Sequence, residues 1–166
     1  MKYLSFFIFF TGISYGFTDD TLKMLPDFLQ AKGFKSKLKT FSEEYVLLQF
    51  WSPSCEPCGT EVKEINDSLK FLNKKTKTLG ALGIPIDGRS QEIEAFVSHF
   101  EPVYVQWNPD EESKTTIRKK AKGVPWTLLL KKSQGFIKEW TGKITSDVVI
   151  STIQKEEGKN SNEKSN

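Results

Sequence analysis

Residues 45–61 of this 166-residue chain read YVLLQFWSPSCEPCGTE, and this stretch decides the fold. Its first part, Tyr45–Trp51, is a nearly continuous apolar run, which is typical of a strand covered on both faces. The apolar residues that follow it fall on one helical face and predict a helix over residues 57–74: Val62, Ile65, Leu69 and Leu72. The sequence therefore predicts a buried strand that leads through a short turn into an amphipathic helix.

The only two cysteines of the chain, Cys55 and Cys58, lie in this turn. Cys55 is expected at the N-terminus of the helix, where unpaired backbone N–H groups and the helix dipole stabilise a thiolate. Two cysteines separated by two residues are close enough to close a small disulfide ring and to open it again. The spacing therefore favours reversible two-electron exchange at this pair.

Three other interpretations of the cysteine pair stay open on sequence alone. A purely structural disulfide would close a very small loop and restrain the unfolded chain little. A zinc site would need a second pair of ligands, and the chain has a single histidine, His99. Two buried reduced cysteines fit poorly with export to an oxidising compartment. Redox exchange is favoured over all three.

The rest of the chain alternates strand and helix signals and ends with a hairpin and a helix. Strands are expected at residues 78–86, 103–107, 126–131 and 136–140, and helices after Ser90, over 113–122 and after Thr145. This order predicts a three-layer α/β/α domain over residues 41–157 with a central mixed sheet. An N-terminal extension, residues 17–40, should pack on the sheet as a helix or hairpin. The last stretch, residues 158–166, has no apolar residue and is expected to be a disordered tail.

The N-terminal segment predicts export from the cytoplasm. An apolar run of 15 residues, Tyr3–Phe17, follows Met1-Lys2 and is shorter than the roughly 20 residues that span a membrane as a helix. Small residues at Ser14 and Gly16 indicate a signal-peptidase site, with residues 1–16 as the signal peptide. An uncleaved membrane anchor is the alternative. Either outcome gives a periplasmic or otherwise extracytoplasmic protein.

Composition argues against nucleic-acid binding. The formal net charge is only +3, and Arg89 and Arg118 are the only arginines. The bidentate guanidinium contacts that recognise phosphates and base edges are therefore nearly absent. The expected partners are proteins that carry disulfides or thiols.

The motifs resemble the active site of thioredoxin-fold proteins, most closely the TlpA/ResA-type thiol-disulfide oxidoreductases. Phe50-Trp51 precede the cysteines at the usual spacing, and Cys55-Glu-Pro-Cys58-x-x-Glu61 resembles the pattern of ResA-like reductases. Downstream, Gly123-Val-Pro125-Trp-Thr is similar to the family's G-x-P-T segment, whose proline is cis and faces the disulfide. The resemblance covers about residues 40–155. It implies a thioredoxin fold with the CxxC at the N-terminus of the first core helix.

The resemblance also implies an activity and a site. Cys55, Cys58 and Glu61 are the expected catalytic residues, and the substrate-binding residues are expected to be Trp51, Val124, Pro125 and Trp126. In ResA-like proteins the glutamate is implicated in proton handling, whereas the plain alternative for Glu61 is a solvated residue on a helix face. The implied reaction is reduction of protein disulfides, with electrons from a membrane thiol relay and with neither metal nor cofactor. Apocytochrome c is the best-known target of the family.

Three departures from the family pattern bear on this interpretation. Ser54 stands where a tryptophan usually precedes the first cysteine, and Gln49 stands where cytoplasmic thioredoxins carry a buried aspartate. Trp126 follows Pro125 where threonine or glutamate is common.

The rival functions are a disulfide oxidase or isomerase, which would use the same fold in the opposite direction, and a Sco-like copper chaperone. The copper chaperones use a CxxxC spacing and a distant histidine, which this chain does not match.

Overall fold

The computed structural model describes residues 16–74, 76 and 78–163. The helices are α1 (Asp19–Lys23), α2 (Lys32–Leu38), α3 (Glu56–Leu72), α4 (Ser90–Phe100), α5 (Glu111–Lys120) and α6 (Ser146–Glu163), with a 3₁₀ turn at Asp27–Leu29. The strands are β1 (Tyr45–Trp51), β2 (Leu79–Pro85), β3 (Val105–Gln106), β4 (Trp126–Lys131) and β5 (Gly135–Thr141). Apart from Gly16, the predicted signal peptide lies outside the described residues. Among the residues described, no helix is both long and apolar enough to cross a membrane.

The strands of the described chain form one mixed sheet in the order β3-β2-β1-β4-β5. β1 pairs with β2 in parallel and with β4 antiparallel, so that Leu48 lies between Leu82 and Leu128. β3 extends the parallel half and β5 extends the antiparallel half. The predicted mixed sheet and thioredoxin fold are thereby confirmed, with the central strand β1 leading directly to the cysteines.

Side chains of β1 alternate between two hydrophobic cores, one on each face of the sheet. Val46, Leu48 and Phe50 point into one core, whereas Tyr45, Leu47 and Trp51 join the core that contains both cysteines. This second core is covered by the helices α3, α4 and α6. Gln49, by the same alternation, lies on the cysteine side of the sheet.

The N-terminal extension covers the other face of the sheet. Phe41, which directly follows the extension, joins the core of that face, and so do all the buried apolar side chains of the extension: Phe17, Leu22, Leu25, Leu29, Phe34 and Leu38. Ile117 of α5 adds to the same layer. The expected packing of this segment is confirmed in its helical form, and the extension completes the third layer.

The chain departs from the predicted boundaries mainly at helix ends. The residue that caps α4 is Arg89, one position before the predicted Ser90, and Glu92 accepts hydrogen bonds from its backbone and side chain. α5 begins two residues earlier than predicted, because the Asp110 side chain accepts a hydrogen bond from the Ser113 N–H at 2.8 Å and starts the helix. α6 continues to Glu163 and so includes residues 158–163, which were predicted to be a disordered tail.

Candidate active site

The cysteine pair forms a disulfide at the start of α3. Cys55 is the N-cap residue of the helix, and its Sγ accepts a hydrogen bond from the Cys58 N–H at 3.2 Å. The S–S distance is 2.02 Å and the two Cα atoms lie 5.3 Å apart. Pro57 falls in the first turn, where a missing N–H leaves no helical hydrogen bond unmade. The sulfur of Cys55 therefore lies among the free N–H groups of the helix end, as the sequence predicts.

The two cysteines differ in exposure. Cys55 is 9% exposed, whereas Cys58 is 0% exposed and packs in the core below the helix end. A protein that approaches the disulfide from solvent thus meets Cys55 first. This asymmetry agrees with the position of Cys55 at the very start of the helix and of Cys58 inside its first turn.

A buried carboxylate lies one turn beyond Cys58. Glu61 is 0% exposed, which rules out the solvated helix-face alternative for this residue. Its Oε2 accepts hydrogen bonds from Gln49 Nε2 at 2.9 Å and from Thr127 Oγ1 at 3.2 Å. Its Oε1 accepts from the backbone N–H of Ile144 at 2.9 Å. The described partners of Glu61 are all donors, an arrangement suited to an ionised carboxylate.

Burial nevertheless raises the pKa of Glu61 above its ordinary value of 4.5. Loss of water around the charged form is the largest effect, and the three donated hydrogen bonds and the nearby charge of Lys143 oppose it. The side chain is thus a buried acid whose proton is retained to higher pH than that of an exposed glutamate. Such a group is suited to exchanging a proton with a neighbour during a reaction.

Gln49 links this carboxylate to the cysteine helix. Its Nε2 donates to Glu61 and also lies 3.4 Å from the backbone oxygen of Cys58. The hydroxyl of Tyr104 donates to Gln49 Oε1 at 2.6 Å, which orients the amide with its NH₂ group toward Glu61. The amide cannot take a proton, as the sequence implies. Its role here is to donate to the acid on α3.

The Val124–Pro125 peptide bond is cis, as predicted. Pro125 is buried, and its carbonyl oxygen accepts a hydrogen bond from the Gly142 N–H at 2.8 Å. Val124 is half-buried and packs against the core that contains the cysteines. Within the described part of the chain, no hydrogen bond engages the backbone of Val124.

The two tryptophans predicted to bind substrate are both interior. Trp51 is 0% exposed, stacks on Phe96 at 4.0 Å and donates from Nε1 to Gln106 Oε1 at 3.2 Å. Trp126 is 4% exposed and stacks on Phe50 at 4.8 Å in the core on the opposite face of the sheet. Both side chains are packed inside the protein, where they support the site, and their contact with substrate stays a prediction.

Sequence reasoning missed two side chains of this buried network, Tyr104 and Thr127. Thr127 could have been found, because it is two residues from Leu129 on β4 and so faces the cysteine side of the sheet. Tyr104 precedes the short strand β3 and carries no local pattern that marks it. Among the described residues, no group of three or more His, Cys, Asp or Glu side chains could hold a metal ion.

A mixed sheet, a CxxC disulfide at a helix N-terminus and a nearby cis-proline segment together define a dithiol–disulfide exchange protein. A family profile described as Thioredoxin-like matches residues 43–137. The chain belongs to this family and is a thiol-disulfide oxidoreductase. A comparison with curated proteins gave no match.

Solved structures with the same fold include several thiol-disulfide oxidoreductases. The thioredoxin domain of one from Bacteroides vulgatus is 18% identical with a TM-score of 0.57, over 68% of this chain and 78% of the other. StoA from Bacillus subtilis is 15% identical with a TM-score of 0.53, over 65% and 81%. A secreted Mycobacterium tuberculosis disulfide oxidoreductase homologous to E. coli DsbE is 15% identical with a TM-score of 0.54, over 67% and 81%. At these identities the likeness establishes the fold alone.

Proposed function

We propose that this protein reduces disulfides of other proteins outside the cytoplasm. The observation that carries the proposal is the pairing of a cysteine that is 9% exposed, Cys55, with one that is 0% exposed, Cys58, one helical turn before a buried acid, Glu61. An accessible thiolate at a helix N-terminus suits attack on a substrate. The buried Cys58 suits release of that substrate, because it can attack only the mixed disulfide that Cys55 has already formed with the substrate.

The reaction transfers two electrons in two exchange steps. In the reduced protein the Cys55 thiolate attacks one sulfur of the substrate disulfide, forms a mixed disulfide and releases the other substrate sulfur as a thiolate. Cys58 then loses its proton and attacks the Cys55 sulfur, which releases the second substrate thiolate. The protein is left with the Cys55–Cys58 disulfide, and the substrate has gained two electrons and, after protonation, two thiol hydrogens.

Glu61 is proposed to exchange the proton of Cys58. Its raised pKa and its link to the Cys58 peptide through Gln49 support this role. The same acid also bears on the direction of electron flow. A buried negative charge near the sulfurs disfavours a thiolate, and so does Glu56, which is exposed in the first turn of α3. A less stable thiolate makes the dithiol a better reductant.

The backbone of Val124 offers a place for substrate to pair. Its N–H and C=O have no partner among the described residues, whereas the Pro125 carbonyl is already bonded to Gly142. An extended substrate segment could therefore add as a short strand beside the disulfide. Val124 contributes this contact through its backbone, so the contact does not depend on which side chain stands at position 124.

The location of the protein and the source of electrons that reduces its disulfide again are part of the same proposal. The N-terminal apolar segment supports export, and it would tether the protein to the membrane if it is not cleaved. One structural neighbour is described as secreted. Outside the cytoplasm a reductase needs a source of electrons, and a membrane thiol relay is the proposed donor. Apocytochrome c is one protein disulfide that such a reductase could serve.

Trapping of a mixed disulfide tests the order of attack. Reduced Cys58→Ser and Cys55→Ser proteins are each mixed with insulin, quenched in acid and weighed by intact-mass spectrometry, with the double variant as control. Cys58→Ser should accumulate the adduct, because it attacks but cannot resolve, and Cys55→Ser should form almost none. A stronger adduct with Cys55→Ser would overturn the assignment.

The reduction potential tests the direction. Equilibration of the wild-type pair with dithiothreitol buffers should give a value nearer to thioredoxin's, about −270 mV, than to that of the oxidase DsbA, about −120 mV. A value near the DsbA figure would replace the reductase by the oxidase alternative.

A further inference from the structure

A cleft of about 430 Å³ lies between α4 and the loop that leads to Cys55. Ser52, Pro53 and Ser54 line one side of it, and Ser54 directly precedes Cys55. Ser54 is exposed, and its hydroxyl is hydrogen-bonded to Ser52 Oγ at 2.9 Å. The small side chain of Ser54 thus leaves open a space immediately beside Cys55.

From α4, the apolar side chains of Ala95, Phe96 and Phe100 line the cleft, together with Glu92 and His99. Phe96 is 6% exposed and is held by its stack on Trp51. The ring of Phe100 packs against Phe96 at 4.7 Å and occupies the space where any side chain at position 59 would lie. Gly59 thus lets Phe100 lean onto α3. The aromatic lining of the cleft is therefore packed against both Trp51 and α3.

The titratable side chains that line the cleft are two carboxylates, Asp87 and Glu92, and one imidazole, His99. Asp87 lines it and is half-buried, and within the described chain it has neither a hydrogen bond nor an ion pair. The second carboxylate, Glu92, is paired with Arg89 at 2.6 Å. The other arginine, Arg118, donates to the backbone oxygen of Ile86 at 2.7 Å. Both arginines of the chain are thus engaged, and Asp87 is the carboxylate left to meet a ligand.

We propose that this cleft binds a lysine or arginine side chain that flanks the disulfide of a substrate polypeptide; the inference rests on the proposed reductase function. The aliphatic part of such a side chain packs on the aromatic lining while its cationic end lies near Asp87. A glutamate at the same place would be repelled. The cleft thereby selects disulfides in a basic sequence context.

Two synthetic peptides test the proposal. Each contains one intramolecular disulfide, and they differ only in carrying lysine or glutamate beside the cysteines. The second-order rate of their reduction is measured with the prereduced wild-type protein and with three variants. Asp87→Asn removes the charge, and Ser54→Trp fills the cleft. Asp67→Asn is the matched control, because it removes the same charge from an exposed position on α3 roughly 18 Å along the helix from Cys55.

The expected result is a lysine-to-glutamate rate ratio of about five for the wild type and for Asp67→Asn, the size that one solvent-accessible ion pair supports. The ratio should fall toward one in Asp87→Asn and in Ser54→Trp. Equal rates with the wild type, or a ratio that Asp87→Asn leaves unchanged, would overturn the cleft proposal and leave the reductase intact. Failure to reduce either peptide, and also the small neutral disulfide of 2-mercaptoethanol, would instead overturn the proposed function.

Discussion

Two buried tyrosines on the cysteine side of the sheet give a matched test of the Glu61 network. Tyr104 is 9% exposed, and its hydroxyl donates to Gln49 Oε1 at 2.6 Å. Tyr45 is 0% exposed, and its hydroxyl has no hydrogen-bond partner in the described structure. Replacing either residue with phenylalanine removes one buried hydroxyl and keeps the ring. Only Tyr104→Phe breaks a hydrogen bond.

The expected costs follow from this difference. Tyr104→Phe leaves the Gln49 carbonyl oxygen buried without its donor, which costs about 1–3 kcal/mol in free energy of unfolding. Tyr45→Phe removes a hydroxyl that is itself unsatisfied, so its effect should be near zero or slightly stabilising. With a urea m-value of about 2 kcal/mol/M, a difference of about 2 kcal/mol separates the two midpoints by about 1 M.

The assay is urea unfolding of the oxidised proteins at neutral pH, followed by circular dichroism. A second measurement addresses the network itself: the pH dependence of thiol alkylation in the reduced proteins. Without the Tyr104 hydroxyl the Gln49 amide is no longer held toward Glu61, so the Glu61 pKa should rise further and move the profile. Tyr45→Phe should leave the profile unchanged. Equal midpoints and equal profiles in the two variants would refute the orienting role of Tyr104.

Three further predictions concern α3 and the residues that contact it. Glu61 has a raised pKa, so the folded state binds its proton more tightly than the unfolded state, and stability should decline as the pH rises above 4.5; Glu61→Gln should remove this decline in urea unfolding series across pH. Glu64 should show the opposite dependence, because its pKa is lowered chiefly by the Ser146 N–H. It contributes stability that is lost as the pH falls, and Glu64→Gln should remove that loss. Gln49→Glu should place a second carboxylate about 2.9 Å from Glu61, so the variant should approach wild-type stability only in acid, and a flat pH dependence of its urea midpoint would contradict this. Gly59→Ala should destabilise the protein by about 1–3 kcal/mol, since its Cβ would lie 2.1 Å from the Phe100 ring, and Phe100→Ala in the same chain should relieve the clash in thermal melts.

The strands that position the site were predictable because their sequence signals are local. Tyr45–Trp51 and Trp126–Lys131 have the predicted bounds, since each is an apolar run that ends at a turn or begins after proline. The position of Cys55 at the N-cap follows from the same run and from Pro57. A disulfide at a strand–helix junction is thus specified by contiguous residues, and a single sequence suffices to find it.

The surroundings of Glu61 could be predicted only in part. Its position three residues after Cys58 and four before Ile65 places it in the apolar stripe of α3, so its burial was open to inference from spacing. Its partners are a different matter. Gln49, Thr127 and the Ile144 N–H come from three separate parts of the chain, and their meeting depends on strand order and register. No local pattern encodes that meeting.

The placement of an amide at position 49 and an acid at position 61 follows from electrostatics. The two side chains lie 2.9 Å apart in a region without solvent, where two carboxylates could not both be ionised. Cytoplasmic thioredoxins are similar in fold but carry their buried acid on the strand; here the acid stands on the helix, and the strand position must therefore supply a neutral donor. Glutamine supplies this donor, and its carbonyl oxygen accepts a hydrogen bond from the Tyr104 hydroxyl, which fixes the orientation of the amide. Glutamine instead of aspartate at position 49 is thus the condition under which Glu61 can hold its charge one turn beyond Cys58, rather than the loss of a base.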